Sequence, residues 1–251
     1  MKISGNTILI TGGGSGIGRG LAEAFQAEGN EVVIAGRRQS ALDETTKANP
    51  GMKSLVLDIE DPKSIAEFAA KVATEFPRLN VVIHNAGVMK PEKVTAIDLA
   101  VVEQTIGINV LGPIRLTAAL LPQLLQQESA TIVTVSSGLA FVPLAMAATY
   151  CATKAAIHSY TQSLRYQLKD TTVEVLELVP PYVQTELMGE AQAKDPRAMP
   201  LDAFIKETVE IIKTQPEAKE ICVKTVHPLR FAADGGKYEA FFTSFNDAMK
   251  H

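Results

Sequence analysis

A tyrosine and a lysine four residues apart, Tyr150 and Lys154, are the residues of this chain best suited to acid–base chemistry. On a helix this spacing places both side chains on one face, with Cβ atoms roughly 5–6 Å apart. A free phenol has a pKa near ~10, and a nearby positive charge lowers it. Lowering it to about 7 requires about 4 kcal/mol, much of which one close, desolvated lysine can supply. The pair is a candidate proton-transfer device, although the same spacing also occurs on helices without catalytic roles.

A glycine-rich turn near the amino terminus is a second candidate site. It follows a short apolar run, 7–11, and leads into a segment with helical periodicity. In a strand–turn–helix unit, glycines let the backbone approach a phosphate, which the free N–H groups of the helix start can bind. The spacing Gly12-x-x-x-Gly16-x-Gly18 differs from the commonest dinucleotide motif, and Arg19 follows where a triphosphate loop requires lysine. A tight turn without a ligand is the alternative.

Apolar runs alternate with helical patterns along the chain. This alternation predicts one α/β domain over 1–251, a Rossmann-type doubly wound, mostly parallel seven-stranded sheet with helices on both faces. The segment 186–216 interrupts the even spacing and is predicted to be a mobile lid over the substrate. The predicted strands are 7–11, 31–36, 53–57, 80–84, 130–135, 172–179 and 220–226. The predicted helices are 17–29, 39–48, 62–76, 98–126, 148–169 and 201–214.

Composition narrows the class of protein. The 251 residues fit one α/β domain, and 46% hydrophobic with 21% charged residues is ordinary for a globular chain. A net charge of −4 gives no support for nucleic-acid binding. Two cysteines, Cys151 and Cys222, favour a reduced cytoplasmic setting over a disulfide framework. Because we find neither a leader nor a run of about 18 apolar residues, we expect a cytoplasmic protein without a membrane partner.

Further motifs fall in the order and spacing of a known family. They are the glycine turn, Asn85-Ala86-Gly87, Asn109, Ser137 located 13 residues before Tyr150, and Lys154. The set resembles the short-chain dehydrogenase/reductases over about 6–236. Two runs, 150–160 and 180–187, resemble the DltE-like oxidoreductase branch of that family.

The resemblance implies hydride transfer between a nicotinamide cofactor and a carbonyl or alcohol carbon. In reduction, Tyr150 would donate its proton to the developing alkoxide, and Ser137 would hydrogen-bond the same oxygen. Lys154 would lower the pKa of Tyr150 and bind the nicotinamide ribose, while Asn109 would anchor a water that connects Lys154 to solvent. Ser136 should face the other side of the strand end, so catalysis is assigned to Ser137.

Two arginines after the second predicted strand bear on the choice of cofactor. An acidic residue there would bind a ribose 2′-hydroxyl, whereas Arg37 and Arg38 suit a 2′-phosphate. We therefore expect NADP(H); two solvated arginines are the alternative. The resemblance implies a cofactor site formed by Gly12, Gly14, Ser15, Gly16, Ile17, Gly18, Arg37, Arg38, Asp58, Ile59, Asn85, Ala86, Gly87, Tyr150, Lys154, Pro180, Val183 and Thr185.

Three local features concern details of the site. The family usually has Asn where this chain has His84, which we expect in the core or behind the site. Pro181 replaces a usual Gly and should stiffen the nicotinamide-side loop, because proline fixes φ and lacks a donor. Gly112-Pro113 predicts a break in the helix 98–126.

Apolar residues follow Ser137 and the nicotinamide-side loop, and they predict a cleft for hydrophobic or aromatic ketones and aldehydes. The alternative is that they simply pack in the core. The histidines 158, 227 and 251 have no metal-ligand partners at suitable spacing, so no metal is expected. The substrate candidates are Leu139, Phe141, Leu144, Tyr182, Leu187 and Met188.

Three functions remain open from the sequence. The first is an NADP(H)-dependent carbonyl reductase that acts on a small-molecule carbonyl or alcohol. The others are an NAD-linked alcohol dehydrogenase and a non-catalytic NADP(H)-binding sensor or scaffold. The complete set of Ser137, Tyr150 and Lys154 favours an enzyme, because a binding protein needs no acid–base device. The family resemblance further implies a homodimer or homotetramer built on the helices 98–126 and 148–169.

Overall fold

Seven parallel strands build the centre of the molecule. In the computed structural model, which describes residues 1–249, they are β1 (Thr7–Thr11), β2 (Glu31–Gly36), β3 (Lys53–Val56), β4 (Leu79–His84), β5 (Ala130–Val135), β6 (Val173–Val179) and β7 (Glu220–Cys222). Their order across the sheet is β3-β2-β1-β4-β5-β6-β7. The order reverses between β1 and β4, which is where open parallel sheets bind ligands. The predicted fold is confirmed, with every strand pairing in parallel and with β7 ending four residues earlier than expected.

Helices cover both faces of the sheet. They are α1 (Gly16–Ala27), α2 (Gln39–Ala48), α3 (Pro62–Glu75), α4 (Leu99–Ile106), α5 (Gly112–Leu124), α6 (Ala148–Gln167), α7 (Glu190–Ala193), α8 (Leu201–Thr214), α9 (His227–Arg230) and α10 (Tyr238–Ala248). The sequence determines several of these bounds locally. For example, α3 begins at Pro62 because proline needs no donor there, and the Asp61 carboxylate accepts from the Lys63 N–H at 2.9 Å.

Two apolar cores lie on opposite faces of the sheet. On one face α1 and α8 pack through Phe25 and Phe204, and on the other α3 and α5 pack through Phe68 and Leu116. The strands read as continuous apolar runs because both of their faces are covered in this way. The arrangement leaves the carboxyl ends of the strands as the place where loops can form a site.

The long helix predicted over 98–126 is interrupted. Between α4 and α5, residues Gly107–Leu111 form one π-helical turn, in which the chain carries one extra residue. This is the predicted break, placed just before Pro113, which cannot donate to the helical ladder. The stretch Leu99–Leu124 has the length and apolar composition of a membrane span, yet in this fold Leu116 and Leu120 are buried against the sheet.

The segment 186–216 divides into two parts, of which only the second packs as a long helix in the core. Its second half forms α8, whose Phe204 is fully buried in the core. The amphipathic pattern of α8 therefore reflects packing on α1 and the sheet, and the predicted lid cannot include this helix. The predicted lid over the substrate is therefore limited to residues 186–200, and the motion of these residues stays a prediction.

Candidate active site

Two adjoining cavities lie beyond the carboxyl ends of the strands. The first, about 190 Å³, reaches from the glycine turn to the ends of β2 and β3. The second, about 420 Å³, reaches from the same turn to Ser137, Tyr150 and Lys154. Because they share residues such as Gly12 and Arg38, they form one groove. Its lining, which runs from the ends of β2 and β3 past the glycine turn to Tyr150, suits a dinucleotide whose two halves lie on either side of β1.

The glycine turn is shaped by close approach to β4. Gly12 and Gly16 have φ of +70° and +52°, a region that favours glycine. The Asn85 side chain donates to the Thr11 carbonyl at 3.0 Å, which ties the turn to the end of β4. A Cβ placed on Gly18 would lie 2.3 Å from the Gly12 oxygen and 2.4 Å from Asn85 Nδ2. The helix start can therefore face the groove only if this position is glycine.

Replacing Gly18 with alanine is expected to reduce cofactor affinity by about tenfold or more, because a displacement of the turn by a fraction of an ångström misaligns several N–H donors at once. Titration of NADPH by fluorescence measures the effect. Gly235→Ala is the matched control, since nothing lies within 4 Å of its added Cβ. Equal affinity in both variants would contradict this function of the turn.

Arg37 and Arg38 line both cavities and are exposed. Within residues 1–249, neither guanidinium forms a salt bridge with an acidic side chain. Arg19, on the adjacent helix, differs because it binds Glu23 and Glu44, both at 2.8 Å. The two arginines at the groove thus retain their charge and donors for an external anion.

Of the predicted cofactor residues Asp58 and Ile59, which follow β3, only Ile59 lines the groove. Ile59 lines the first cavity together with Leu57. The Asp58 carboxylate instead accepts from the Glu60 N–H at 3.1 Å, and the Asp58 N–H donates to Ser64 at 3.1 Å. Asp58 therefore shapes the turn after β3, and its carboxylate is not among the cavity-lining groups.

Ser137, Tyr150 and Lys154 meet at the inner end of the second cavity. Ser137 follows β5, while Tyr150 and Lys154 lie one turn apart on α6, as the sequence predicted. Ser137 hydrogen-bonds Tyr150, and its Oγ also accepts from the Leu139 N–H at 3.1 Å. The Lys154 ammonium lies 5.5 Å from the centre of the Tyr150 ring and donates to the Val135 carbonyl at 2.8 Å.

Burial dominates the electrostatics of this group. It raises the pKa of Tyr150 well above its ordinary value, an effect to which Cys151 adds and which the hydrogen bond with Ser137 opposes. Burial also lowers the pKa of Lys154 to about 8, opposed by the charge of Glu177. The expectation that lysine acidifies the phenol is thus not met in this structure, because desolvation outweighs an ammonium that is bonded to Val135. Contacts that stabilise the phenolate form of Tyr150 would have to come from the bound substrate and cofactor.

Asn109 lies in the π-helical turn and links three elements. Its side chain accepts from the Val88 N–H and donates to the Val88 carbonyl, both at 2.9 Å, and donates to Thr153 Oγ1 at 3.1 Å. A Cβ on Gly87 would lie 3.3 Å from Asn109 Oδ1 and 3.8 Å from Lys154 Nζ. Asn109 therefore braces the loop after β4 against α6 beside the lysine; the water it was expected to anchor stays a prediction.

The loop after β6 forms the nicotinamide-side wall. Pro180, Val183 and Thr185 all line the second cavity, as does Pro181. The sequence did not identify Gln192, a buried residue whose amide donates to the Val183 carbonyl at 2.8 Å and to Thr185 Oγ1 at 3.1 Å. Because Gln192 lies on the one-turn helix α7, it ties the remaining part of the predicted lid to this wall.

An apolar cluster surrounds the Tyr150 side chain. Of the predicted substrate residues, Leu139, Leu144 and Met188 pack in this cluster, and Leu187 lines the cavity. Two lie elsewhere. Phe141 stacks edge-on against His158 at 4.7 Å and lies under Arg230, and the Tyr182 hydroxyl donates to Asp195 at 3.2 Å. Their side chains are held by polar partners that sequence spacing did not reveal.

The cluster also contains residues that the sequence did not assign to the site. They are Met89, which follows β4, and Phe245 and Met249 near the carboxyl terminus. Asn246 links α10 to the connection that precedes α6. Its side chain accepts from the Ala145 N–H at 2.7 Å and donates to the Pro143 carbonyl at 3.0 Å. Only the tertiary fold brings these distant segments beside Tyr150.

The histidines lie away from the reacting groups. His84 is buried, as expected, and bonds Thr117 at 2.9 Å, while burial lowers its pKa to about 4. His158 meets Glu177 and Glu220, with ligand atoms within 4.8 Å of one another, a proximity that sequence spacing missed. However, the Arg230 guanidinium binds Glu220, so the negative charge of this carboxylate is balanced without a metal ion. His251 lies outside the described residues.

The residues present fit a dinucleotide. The glycine turn offers a helix start for a phosphate, a Cβ at Gly18 would clash with the Gly12 oxygen and displace that turn, and two guanidiniums with no acidic partner among residues 1–249 lie at the end of β2. Ser136 also borders the second cavity, and its Oγ is buried without a hydrogen-bond partner among residues 1–249, so it can accept or donate a further hydrogen bond.

Comparison with known proteins agrees with this geometry. A profile described as short chain dehydrogenase matches residues 6–196. The chain is 38% identical to the uncharacterized oxidoreductase DltE of Bacillus subtilis (strain 168), over 98% of each chain. A short chain dehydrogenase from Burkholderia cenocepacia J2315 in complex with NADP aligns with a TM-score of 0.82 at 23% identity, covering 96% of this chain and 99% of that one.

A fourth comparison concerns the cofactor. A short chain dehydrogenase/reductase from Burkholderia phymatum in complex with NAD aligns with a TM-score of 0.81 at 22% identity, covering 97% of this chain and 96% of that one. The fold thus accommodates either dinucleotide, and the residues of each chain must determine which one binds. The profile match and the relative similar over nearly the whole length confirm the resemblance seen in the sequence: the chain belongs to the short-chain dehydrogenase/reductase family and is an oxidoreductase that uses NAD(P)(H).

Proposed function

We propose that this protein is an NADP(H)-dependent carbonyl reductase. The observation that carries the cofactor choice is the position of Arg37 and Arg38, which border the groove at the end of β2 with no acidic partner among residues 1–249. A ribose 2′-phosphate would satisfy both charges, whereas a 2′-hydroxyl would leave them unused. No carboxylate stands at this strand end to bind such a hydroxyl.

The arrangement supports proton transfer to a carbonyl oxygen. When bound, the reduced nicotinamide supplies a hydride. Tyr150 then donates its phenolic proton to the oxygen that becomes an alkoxide, and Ser137 donates a hydrogen bond to the same atom. Lys154 contributes a positive charge one helical turn from the phenol, and Asn109 holds the adjoining loop in register. The raised pKa of Tyr150 keeps the phenol protonated at neutral pH, the form that reduction consumes.

The wall around Tyr150 supports an apolar substrate. Leu139 and Leu144 from the connection between β5 and α6 and Met188 from the segment after β6 pack in one cluster with Tyr150, and Phe245 adds an aromatic ring from α10. Charged groups also line this cavity, namely Lys154 beside Tyr150, and Lys90 and Glu186. We infer that the substrate carbonyl carries a hydrophobic or aromatic group, which the inner wall binds, and that any polar part lies toward the mouth.

Exchanging Arg37 for aspartate tests the cofactor choice. In the unmodified protein, kcat/KM for NADPH oxidation is expected to exceed that for NADH by about 10-fold or more, since each charge-assisted hydrogen bond contributes about 1.5–3 kcal/mol. Arg37→Asp should reduce or reverse this ratio, because it removes a phosphate ligand and introduces a carboxylate suited to a ribose hydroxyl. Initial rates with an aryl ketone and each dinucleotide measure it.

Arg19→Gln is the matched control, because it removes a nearby guanidinium that already binds Glu23 and Glu44. It should leave the ratio of the two cofactors unchanged. A wild-type protein that prefers NADH, or a ratio that Arg37→Asp does not alter, would show that the arginines do not select the cofactor.

Assembly into a homodimer or homotetramer stays a prediction. Apolar side chains on the helices that were expected to form the interface are exposed in the single chain, namely Leu99, Ile106 and Leu111 along α4 and the π-helical turn, and Tyr166 on α6. We infer that a second copy covers them, because burial of exposed apolar side chains is what favours association between copies of a chain.

A further inference from the structure

A carboxylate lies buried behind the catalytic group. Glu177, on β6, is the only Asp or Glu of residues 1–249 that falls in the buried class, and its side chain is 0% exposed. His158 Nδ1 lies 3.0 Å and 2.9 Å from its two oxygens. A carboxylate in this position loses most of its hydration, so retaining it requires a compensating interaction. His158, whose side chain is 19% exposed, provides only part of that interaction.

The fold places this carboxylate next to Lys154. His158, which contacts Glu177, is one helical turn beyond Lys154 on α6, so the two side chains share a face. On the sheet side, the Lys154 ammonium donates to the carbonyl of Val135, and the preceding residue, Thr134, is the Cα partner of Glu177 across the ladder. Two independent elements thus hold the carboxylate and the ammonium in one region.

Lys154 itself lacks a salt-bridge partner. Its one hydrogen bond within the described part of the chain is to a neutral carbonyl. Such an ammonium, fully enclosed, tends to lose its proton, because burial disfavours the charged form. Catalysis by Tyr150 needs the opposite, a lysine that stays charged at the pH of reaction.

We propose that Glu177 is a positioning residue whose buried negative charge keeps Lys154 in its ammonium form. This inference rests on the proposed reductase activity, because only there does the lysine charge matter. The Glu177 carboxylate acts on the lysine through space and touches neither substrate nor cofactor. The pKa of Lys154 agrees with this function, since burial lowers it and the charge of Glu177 opposes the decrease.

Other charged groups around Glu177 are already paired. On β7, Glu220 binds Arg230 of α9 at 2.5 Å and 3.0 Å, which makes that pair nearly neutral. The Cys222 thiol stays protonated because burial and Glu220 raise its pKa. On α6 the remaining titratable neighbours are His158, Tyr150, Cys151 and Arg165, and Arg165 faces outward to the Val175 and Lys219 carbonyls. The charge of Glu177 also acts on Arg230, but Glu177 is the carboxylate whose charge raises the pKa of Lys154.

Titrating Lys154 directly tests the proposal without substrate or cofactor. NMR of protein with carbon-labelled lysine ε-carbons follows each ammonium, and Lys154→Met identifies the signal. Glu177→Gln, which keeps size and hydrogen bonding but removes the charge, is expected to lower the midpoint by about one pH unit or more. Glu177→Asp should keep it near the wild-type value, and Glu220→Gln, one strand away, should leave it unchanged. A midpoint unaltered by Glu177→Gln, or lowered equally by Glu177→Asp, overturns the proposal.

The pH profile of kcat/KM for reduction gives the second readout. In Glu177→Gln the alkaline limb should move to lower pH, by the amount by which the NMR midpoint moves, with activity recovering as pH decreases. A merely structural loss would reduce activity equally at every pH, which would contradict the proposal. Because the NMR titration needs no turnover, an absence of reductase activity in the wild type would refute the proposed function and still leave the electrostatic relation measurable.

Discussion

Replacing Tyr150 with phenylalanine should reduce kcat by about 10²–10⁴-fold, the range of a lost general acid, while NADPH still binds. The hydroxyl is the one acidic proton held between Ser137 and the apolar cluster, and the ring itself remains in place in the variant. The first cavity, which the glycine turn and the two arginines line, does not include Tyr150 among its lining residues. Initial-rate assays of NADPH oxidation measure kcat, and fluorescence titration of NADPH measures cofactor binding.

Tyr160→Phe is the control for this experiment. Tyr160 lies on the same helix, ten residues beyond Tyr150, and packs against the core that contains Phe68 and Leu116, so losing its hydroxyl should leave kcat unchanged. A cofactor sensor would lose nothing on replacement of Tyr150. Turnover that persists in Tyr150→Phe would therefore show that Tyr150 is not the proton donor of this reaction.

The fold was predictable from the sequence because its determinants are local. Each strand is a short apolar run since helices cover both of its faces, and those runs alternate with helical periodicity. The glycine turn and Asn85 follow strand ends within a few residues, and the Tyr150–Lys154 pair lies in the first two turns of α6. Their convergence at one edge of the sheet then follows from parallel topology alone.

The parts that sequence reasoning missed depend on contacts between distant segments. The periodic segment that became α8 has the same pattern as a mobile amphipathic helix, and only its contact with α1 buries Phe204. Phe141 was assigned to the cleft from its position after Ser137, yet Arg230, 89 residues away, holds its ring elsewhere. Gln192 and Phe245 carry no motif, because any residue of suitable size can fill such a wall.

The pKa of Tyr150 illustrates a different limit. From spacing alone, lysine should acidify the phenol, since opposite charges one helical turn apart attract. Spacing gives no measure of burial, and the enclosed site raises the phenol pKa while it lowers that of the lysine to about 8. The chemistry of the pair is therefore determined by how well the surroundings stabilise two desolvated groups, which depends on Val135, Ser137 and Glu177.

Replacing Lys154 with methionine should decrease kcat/KM by at least about 10²-fold and, at neutral pH, make the protein more stable. Activity decreases because the positive charge beside Tyr150 is lost. Stability increases because the buried ammonium is costly, as its lowered pKa indicates, while methionine fills the same space without a charge. The decrease from 10.5 to about 8 corresponds to about 3 kcal/mol. Chemical denaturation of both proteins at the same pH measures the difference.

The pH dependence of that difference tests the cause. The folded-state pKa of Lys154 lies below the unfolded value, so the folded protein disfavours a proton that the unfolded chain keeps. The destabilisation is complete below about pH 8 and disappears as the pH rises through 10.5. The stability advantage of Lys154→Met should accordingly narrow over this window, while Lys213→Met, a partly exposed lysine paired with Glu28, should show no such gain. If the gain in stability of Lys154→Met were independent of pH, packing and not the buried charge would determine the stability of this site. The charged lysine would then have no measurable cost for folding.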